Sequence, residues 1–418
     1  MPLRDLAFWR TDEEKFADLV RRSLIAAGEF RTVLFDKSAF ALRFGTSEKE
    51  NRPEVVYLRN FFTAYIRLPK EKQAQELEHI IASFAEGREP MPRSFASVAD
   101  RLLPQVRPMT EFGIWSLLGR LEGNRLEEMP FRQLTPAVAA WLVYDGDYNT
   151  RRITSPQLAK WGVAFDDAFD VALTNLRRRS EKAFVALAPG LYCSDWADTC
   201  DTSRVLLTDI VAALPVRGAP VAMMPNRDAL LVSGAQDQEG LRSMVRSARK
   251  VLTDPRPLGA NALLLEAGVW HDYVPNTAEQ SGIELMELQE EQASMYCADQ
   301  KDLLDKVHKM TGEDIFVASH KIRRESPSGH FIDSVSTWTE GVDTLLPKAR
   351  SVILLQPKNQ RIIIGCWDTV AAVAGELLAP MGWWPERFHV LRHPTEAQIE
   401  KLIATPGVEV RPLRGQAR

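Results

Sequence analysis

Apolar residues recur at helical spacing directly after a capping signal near the start of the chain. Thr11 and Glu14 form a capping-box pattern, in which each side chain accepts a hydrogen bond from a free backbone N–H group at the start of a helix. The apolar positions that follow share one helical face, and Gly28 marks the expected end. Two shorter apolar runs over 32–44, with a polar turn at 36–38, then predict a β-hairpin.

The middle of the chain alternates short apolar runs with amphipathic stretches. Phe165, Phe169 and Leu176 share one face of a predicted helix over 165–180. Because helices fall between strands that look antiparallel, the pattern predicts an α+β fold with mixed or antiparallel sheets and packed helices. The predicted strands are 139–144, 184–187, 220–224, 229–232, 262–266 and 269–274, and the further helices are 56–66, 70–84, 201–214 and 241–252.

The last third of the chain follows a polar stretch, 276–287, which we interpret as a linker. A length of 418 residues exceeds one typical core, so we predict several domains. These are two α+β halves at 1–125 and 126–275, and a C-terminal α/β-type module at 288–418. In the module we expect helices over 288–309, 368–378 and from Thr395, where Gln398 completes a second capping box. We also expect a basic loop over 321–329, and strands over 314–319, 331–338, 352–355, 362–365 and 387–391.

Composition and charge narrow the functional classes. Apolar residues at 45% and charged residues at 26% are typical of a globular protein. A formal charge of -4 gives no electrostatic reason to expect nucleic acid or an anionic membrane as partner. The first residues lack the apolar core of a secretory signal, and the four cysteines form no C-x-x-C pair. We therefore expect a cytoplasmic protein, with no nucleic-acid or membrane partner.

Three groups of polar residues stand at the joints between predicted elements of the middle region. They are Asn175-Leu176-Arg177, the stretch 198–204, and the turn 225–228. Carboxylates at helix starts and amides at helix edges usually bond nearby backbone groups, which would make these residues structural. Alternatively, they converge on a polar pocket suited to binding or acid–base chemistry. The candidate pocket residues are Asn175, Asp201, Arg204, Asn226, Arg227 and Asp228.

The same three groups carry a resemblance to a known family. Ala172-x-x-Asn175-Leu176-Arg177, Asp198-x-x-Asp201-x-Ser203-Arg204 and Pro225-x-x-Asp228 resemble motifs of the YtpQ-like family of bacterial cytosolic proteins, over roughly residues 12–275. That family has no agreed activity, cofactor or catalytic residues, so the resemblance implies a cytosolic location and no particular chemistry. The last third of the chain lies outside it.

One cysteine is placed where a thiol can be reactive. Cys366 ends an apolar strand just before a predicted helix, and a helix N-terminus can activate a thiol as a nucleophile. His389 and His393, on a later strand, share one parity, so either can be its base. The structural alternative is a buried free cysteine. A metal site on the two histidines lacks a third ligand, and Asp145-x-Asp147-x-Asn149 lacks the glycine and glutamate of a calcium loop, so we predict no metal and no cofactor.

Two adjacent tryptophans complete the candidate residues. Trp383 and Trp384 lie in a predicted loop, where tryptophans serve either as anchors at a protein interface or as plugs beneath the loop. We expect a non-enzymatic protein-binding or adaptor protein that uses these aromatics and the cleft between its modules. The alternatives are an enzyme with a polar pocket around Asp201, Arg204 and Asp228, and a hydrolase or transferase that depends on Cys366. The oligomeric state stays open.

Overall fold

The protein has an α+β fold in which helices pack on several mixed or antiparallel sheets, so the predicted fold class is confirmed. In the described part of the chain, every helix is too short or too polar to cross a bilayer. Most of the predicted basic loop at 321–329 lies outside the described residues. The structure is a computed structural model that describes residues 11–45, 54–121, 129–182, 184–324 and 332–413.

The N-terminal elements form a small layer of their own. The capping box at Thr11 is confirmed, because both of its hydrogen bonds are present. The predicted start of a helix at Val56 is wrong, since this residue belongs to a strand that completes a three-stranded antiparallel sheet. The elements are α1 (Asp12–Ala26), β1 (Thr32–Asp36), β2 (Ala41–Gly45), β3 (Glu54–Tyr57), α2 (Arg59–Arg67) and α3 (Lys70–Arg88).

A second antiparallel sheet follows, and its pairing crosses the predicted domain limit at 125/126. Val106 pairs with Ala140, so residues on both sides of that limit share one sheet. The domain division stays a prediction. The elements are β4 (Leu102–Pro108), α4 (Met109–Leu121), β5 (Phe131–Thr135), β6 (Val138–Asp145), β7 (Thr150–Arg152), α5 (Ser155–Trp161) and α6 (Phe165–Arg178).

A six-stranded antiparallel sheet packs against this second sheet and closes the largest apolar core. The predicted helix over 201–214 is a 3-10 turn, Asp201–Leu206, followed by a short α-helix. The turn is buried from Asp201 to Val205, and its polar side chains bond neighbouring loops. The elements are β8 (Val185–Ala188), β9 (Leu191–Cys193), α7 (Thr208–Ala212), β10 (Pro220–Asn226), β11 (Ala229–Gly234), α8 (Gln238–Val251), β12 (Ala262–Glu266) and β13 (Val269–Asp272).

One long helix, α9 (Gln280–Thr311), connects the middle region to the C-terminal elements. It begins inside the predicted linker, because Leu285 and Leu288 pack with the core beneath α8 and so favour helix there. Its later residue Leu304 contacts both α4 and the C-terminal strands through an apolar cluster. The helix therefore forms a wall common to both parts of the molecule.

The C-terminal elements form two mixed sheets, each with one parallel pair of strands. Lys321, predicted to lie in a loop, starts a strand that pairs with Val335. The second capping box, at Thr395, is confirmed. The elements are β14 (Phe316–Val317), β15 (Lys321–Arg324), β16 (Ile332–Thr339), β17 (Thr344–Pro347), β18 (Ser351–Gln356), β19 (Arg361–Cys366), α10 (Trp367–Ala374), β20 (Ala379–Pro380), β21 (Arg387–Val390), α11 (Glu396–Ile403) and β22 (Glu409–Pro412).

Candidate functional site

Arg204, one of the predicted pocket residues, directs its side chain to partners within the protein. Its side chain is fully buried and binds both carboxylate oxygens of Asp198, at 2.8 and 2.7 Å. It also donates to Ser180 Oγ and the Arg179 carbonyl, and its guanidinium carbon lies over the Trp196 ring, 4.2 Å from the centroid. Burial opposes ionisation of Asp198, but the bonds from Arg204 outweigh it and lower the carboxyl pKa. This pair holds the loop before the 3-10 turn in place.

Asn175 and Asp201 also bond to nearby backbone. The Asn175 amide donates to the carbonyls of Ala99 and Leu102 at 2.7 and 2.9 Å, and its oxygen accepts from Arg178. One carboxylate oxygen of Asp201 accepts from the Trp196 N–H group at 3.1 Å, while the other has no partner among the described residues. Both side chains are buried and act mainly as fasteners of loops.

The turn at 226–228 lies beside the 3-10 turn, but its side chains diverge. Asn226 accepts a hydrogen bond from the backbone of Asp228, whose side chain is 47% exposed. These two residues border a cavity that Arg256 also lines. Arg227 points elsewhere, into a different cavity. The structure therefore does not bring the six predicted pocket residues to one site: Asn226 and Asp228 line one cavity, and Arg227 lines another.

A large cavity lies between the middle region and the C-terminal elements. It has a volume of about 540 Å³, and we call it the central cleft. Its walls come from the start of α4, the loop before β12, one face of α9, and the C-terminal strands and loops. Its lining residues include Thr110, Glu290, Ala293, Tyr296, His320 and Cys366.

His320 is the most enclosed polar group of the central cleft. It is 7% exposed, and its Nδ1 atom has no hydrogen-bond partner among the described residues. Glu290 Oε2 lies 3.6 Å from its Nε2 atom. Burial lowers the pKa of His320 to about 4 and raises the pKa of Glu290, so the uncharged form of each is favoured. The cleft thus offers an imidazole nitrogen that the protein leaves free.

A second cavity of about 370 Å³ adjoins the central cleft, and we call it the arginine pocket. The two cavities share Thr110 and Tyr296 as lining residues. The side chains of Arg107, Arg227 and Arg256 line the arginine pocket. Its remaining polar residues are Asn60, Thr110, Glu111, Tyr296 and Asp299.

The guanidinium groups of the arginine pocket are short of acceptors. Arg107 is 4% exposed, donates to the Val106 carbonyl at 2.7 Å, and has Glu111 at 3.4 Å. The Nε atom of Arg227 is buried without a hydrogen-bond partner among the described residues. Burial lowers the pKa of Arg107 to about 10 and also lowers that of Arg256, where the nearby Arg227 charge adds to the effect. All three still carry a positive charge at neutral pH.

Cys366 borders the central cleft, and no histidine of the described residues lies within hydrogen-bond distance of its thiol. Its side chain is exposed at the N-terminal end of α10, and Sγ lies 2.9 Å from Thr369 Oγ1. The cleft histidine precedes β15, and register places Lys321, Val335, Ser351 and Cys366 in one row across the sheet. Three strand spacings separate the ends of that row, about 14 Å. This distance exceeds the reach of a hydrogen bond between imidazole and thiol.

The two histidines predicted as bases lie elsewhere. His389 Nε2 is 2.6 Å from Asp343 Oδ1, and His393 packs edge-on against Trp338. Neither residue lines the central cleft. In the described part of the chain, no three or more His, Cys, Asp or Glu side chains are arranged to hold a metal ion.

The turn over 145–149, whose acidic residues were compared with a calcium loop, binds the carboxylate of Glu86. The carboxylate of Glu86 accepts hydrogen bonds from the backbone N–H groups of Asp147, Tyr148 and Asn149, at 2.6 to 2.8 Å. The Asp147 side chain pairs with Arg101. A loop that directs its N–H groups inward selects an anion, which agrees with a hairpin turn and not with a calcium loop.

The loop that carries Trp383 and Trp384, which we call the tryptophan loop, packs against α4. Trp383 joins the apolar cluster of Leu117 and Leu304, and the Arg120 guanidinium lies 5.8 Å from its ring. The backbone of Trp384 touches α4 at Gly113, and its residue lines the central cleft. Both tryptophans are half-buried. Their main contacts are those of plugs between α4 and the C-terminal elements.

Of the three arginines that line the arginine pocket, Arg227 was among the predicted residues, whereas Arg107 and Arg256 were missed because their signals in the sequence are weak. Arg107 lies within the buried strand β4, where a charged residue in an apolar run is unusual. Arg256 stands between two prolines and has a positive φ of 62°, a conformation rare outside glycine. Both are anomalies that could have been noted, but their convergence with Arg227 depends on the fold.

The sequence matches no protein-family model, and neither a curated protein nor a solved structure matches the chain. The resemblance to the YtpQ-like family stays a prediction.

Proposed function

We propose that this protein binds a small molecule in the central cleft. The observation that carries the proposal is the buried, unpartnered His320 Nδ1 atom in the wall of a 540 Å³ cavity. Ligand sites typically have volumes of ~300–1,000 Å³ and a few polar groups placed among apolar walls. A buried polar atom without a partner costs free energy, which a ligand that hydrogen-bonds to it would recover.

The walls of the central cleft suit specific recognition. The hydroxyl of Thr110 is a second buried polar atom without a partner among the described residues. Burial raises the pKa of Tyr296 to about 12, so its phenol stays a neutral donor. Both groups are held by helices, α4 and α9, that pack against each other. Polar groups fixed on rigid elements are arranged before the ligand arrives.

The other functional hypotheses have less support. An enzyme built on Asp201, Arg204 and Asp228 lacks a shared cavity, because Arg204 is occupied by Asp198. A hydrolase or transferase built on Cys366 lacks a nearby histidine base in the described residues. An adaptor that docks through Trp383 and Trp384 needs surfaces that the protein itself partly covers. A protein partner therefore stays a prediction.

The proposal is tested by filling the cleft. Ala293 lines it from α9, whereas Ala298 lies exposed on the same helix. We expect thermal-shift screening against carboxylates, phosphate esters and nucleosides to find a compound that stabilises the native protein. That stabilisation should vanish in Ala293→Trp and persist in Ala298→Trp. A compound that stabilises both variants equally, or a screen without a saturable hit, would contradict the proposal.

A further inference from the structure

We infer that the arginine pocket binds a phosphate monoester group of the molecule held in the central cleft. The inference rests on the proposed function, and it names the chemical class of the ligand. It starts from the three guanidinium groups that converge on one cavity next to the cleft. Because like charges repel, three guanidinium groups around one cavity are electrostatically unfavourable unless an anion binds between them.

The charges of the pocket leave an excess for an anion. Three guanidinium groups face two carboxyl groups, those of Glu111 and Asp299. Glu111 lies 3.4 Å from Arg107, so the charge of this arginine is already matched in part. The carboxylate nearest to Arg227 is that of Asp228, which is 3.9 Å away and directed toward solvent. The charges of Asp228 and Glu76 also act on Arg256, but neither Arg227 nor Arg256 has a carboxylate within hydrogen-bond distance among the described residues.

The hydrogen-bonding groups of the pocket point the same way. The buried Nε atom of Arg227 and the buried hydroxyl of Thr110 each lack a partner among the described residues. Tyr296 adds a neutral phenol, and Asn60 an amide. The pocket is therefore rich in donors and needs acceptors. The first turn of α4 begins at this wall, and the positive end of a helix favours an anion there.

Phosphate fits this set of donors better than carboxylate. One guanidinium group satisfies both oxygens of a planar carboxylate. A phosphate monoester presents three strong acceptor oxygens and a charge near −2 at neutral pH, which can engage several donors from different directions. Because Thr110 and Tyr296 border both cavities, a phosphate held by the arginines leaves the rest of the ligand in the central cleft.

The test uses inorganic phosphate as the probe, with the full chain and constant ionic strength. We expect saturable binding in calorimetry, weakened at least tenfold in Arg227→Gln and in Arg256→Gln. The matched control is Arg217→Gln, which removes the same charge from an exposed arginine outside both cavities. Arg256→Lys keeps the charge but loses the planar fork, and should bind phosphate with intermediate affinity.

Several results would overturn the inference. They are the absence of saturable phosphate binding, equal affinity in the Arg227 and Arg217 variants, and binding of succinate, a dianionic carboxylate, as tight as that of phosphate. Melting temperatures without phosphate show whether each variant is folded. Ala293→Trp separates the two proposals, since it fills the central cleft only. If a ligand binds the central cleft with an affinity that the arginine variants do not change, the inference is wrong and the proposed function stands. If phosphate binds but no ligand of the central cleft is found, the proposed function is wrong and the arginine pocket remains a phosphate site.

Discussion

At the residue scale, the buried polar groups of this protein are of two kinds, those with hydrogen-bond partners and those without them among the described residues. Arg204 and Asn175 have nearly every donor matched by a carboxylate or a backbone carbonyl, so they stabilise loops. His320 and Arg227 are left with buried nitrogen atoms that no described residue bonds. Unsatisfied buried groups are uncommon in folded proteins, and they mark positions where another molecule can complete the bonding.

The buried imidazole of His320 should make stability depend on pH. Burial lowers its pKa to about 4, below the usual ~6.5, and the nearby charge of Arg387 adds to the effect; Glu290 is its titratable neighbour. The unfolded chain therefore binds the proton first as pH falls. The contribution of His320 is complete above pH ~6.5 and is lost progressively down to pH ~4, by roughly 3 kcal/mol.

Chemical denaturation as a function of pH measures this effect. His320→Gln should flatten the fall in the free energy of unfolding between pH 6.5 and 4 by comparison with the native protein. The exposed His271→Gln serves as the control for loss of an imidazole. If the two variants have the same pH profile, His320 is not neutral in the folded protein.

At the scale of elements, the contact between α4 and the tryptophan loop closes one side of the central cleft. A Cβ atom added at Gly113 would lie 1.8 Å from the Trp384 carbonyl oxygen, which is far inside van der Waals contact. Replacing glycine by alanine within a helix ordinarily stabilises it by up to ~1 kcal/mol. Here the loop has to move away from the helix.

Gly113→Ala should therefore destabilise the protein by ~2 kcal/mol or more, against the trend for helices. Gly375→Ala is the matched control, because no atom lies within 4 Å of its added Cβ. Thermal unfolding of the two variants compares them directly. A neutral or stabilising effect of Gly113→Ala would show that the loop is not held against α4.

The elements also show what sequence patterns can predict. Both capping boxes are local, since the partners at Thr11 and Thr395 are three residues away, and both were predicted. The start of α9 at Gln280 was not predicted, because it depends on apolar contacts beneath α8. The arginine pocket combines residues from β4, a turn and a proline-flanked loop. Their proximity follows from packing between sheets, which a single sequence does not reveal.

At the scale of the whole molecule, α9 joins the middle region to the C-terminal elements. Arg387 reinforces the joint, because its buried guanidinium bonds Gln300 and the Cys297 carbonyl on α9, as well as two carbonyls of the C-terminal strands. The C-terminal elements are thus fastened to a helix whose first half packs under the six-stranded sheet. We expect the two parts to unfold together.

Pulsed alkylation along a denaturant series tests this expectation. Burial raises the pKa of Cys200, in the middle region, to about 12 and that of Cys297, at the joint, to about 11, so both should resist labelling in the native protein. Exposed Cys366 should react before unfolding. Cys200 and Cys297 should then become reactive in one transition. Earlier labelling of Cys297 would indicate a C-terminal module that separates from the rest, as the predicted domain division implies.

The 32 residues of α9 have a further consequence for how this chain tolerates change. An α-helix turns by ~100° per residue, so one inserted residue before Tyr296 would swing every later side chain to another face. Tyr296 would leave both cavities, and Gln300 would leave Arg387. Seven inserted residues complete nearly two turns and would restore the direction but displace the strands by ~10 Å. This segment should accept many exchanges of side chain while its length stays fixed.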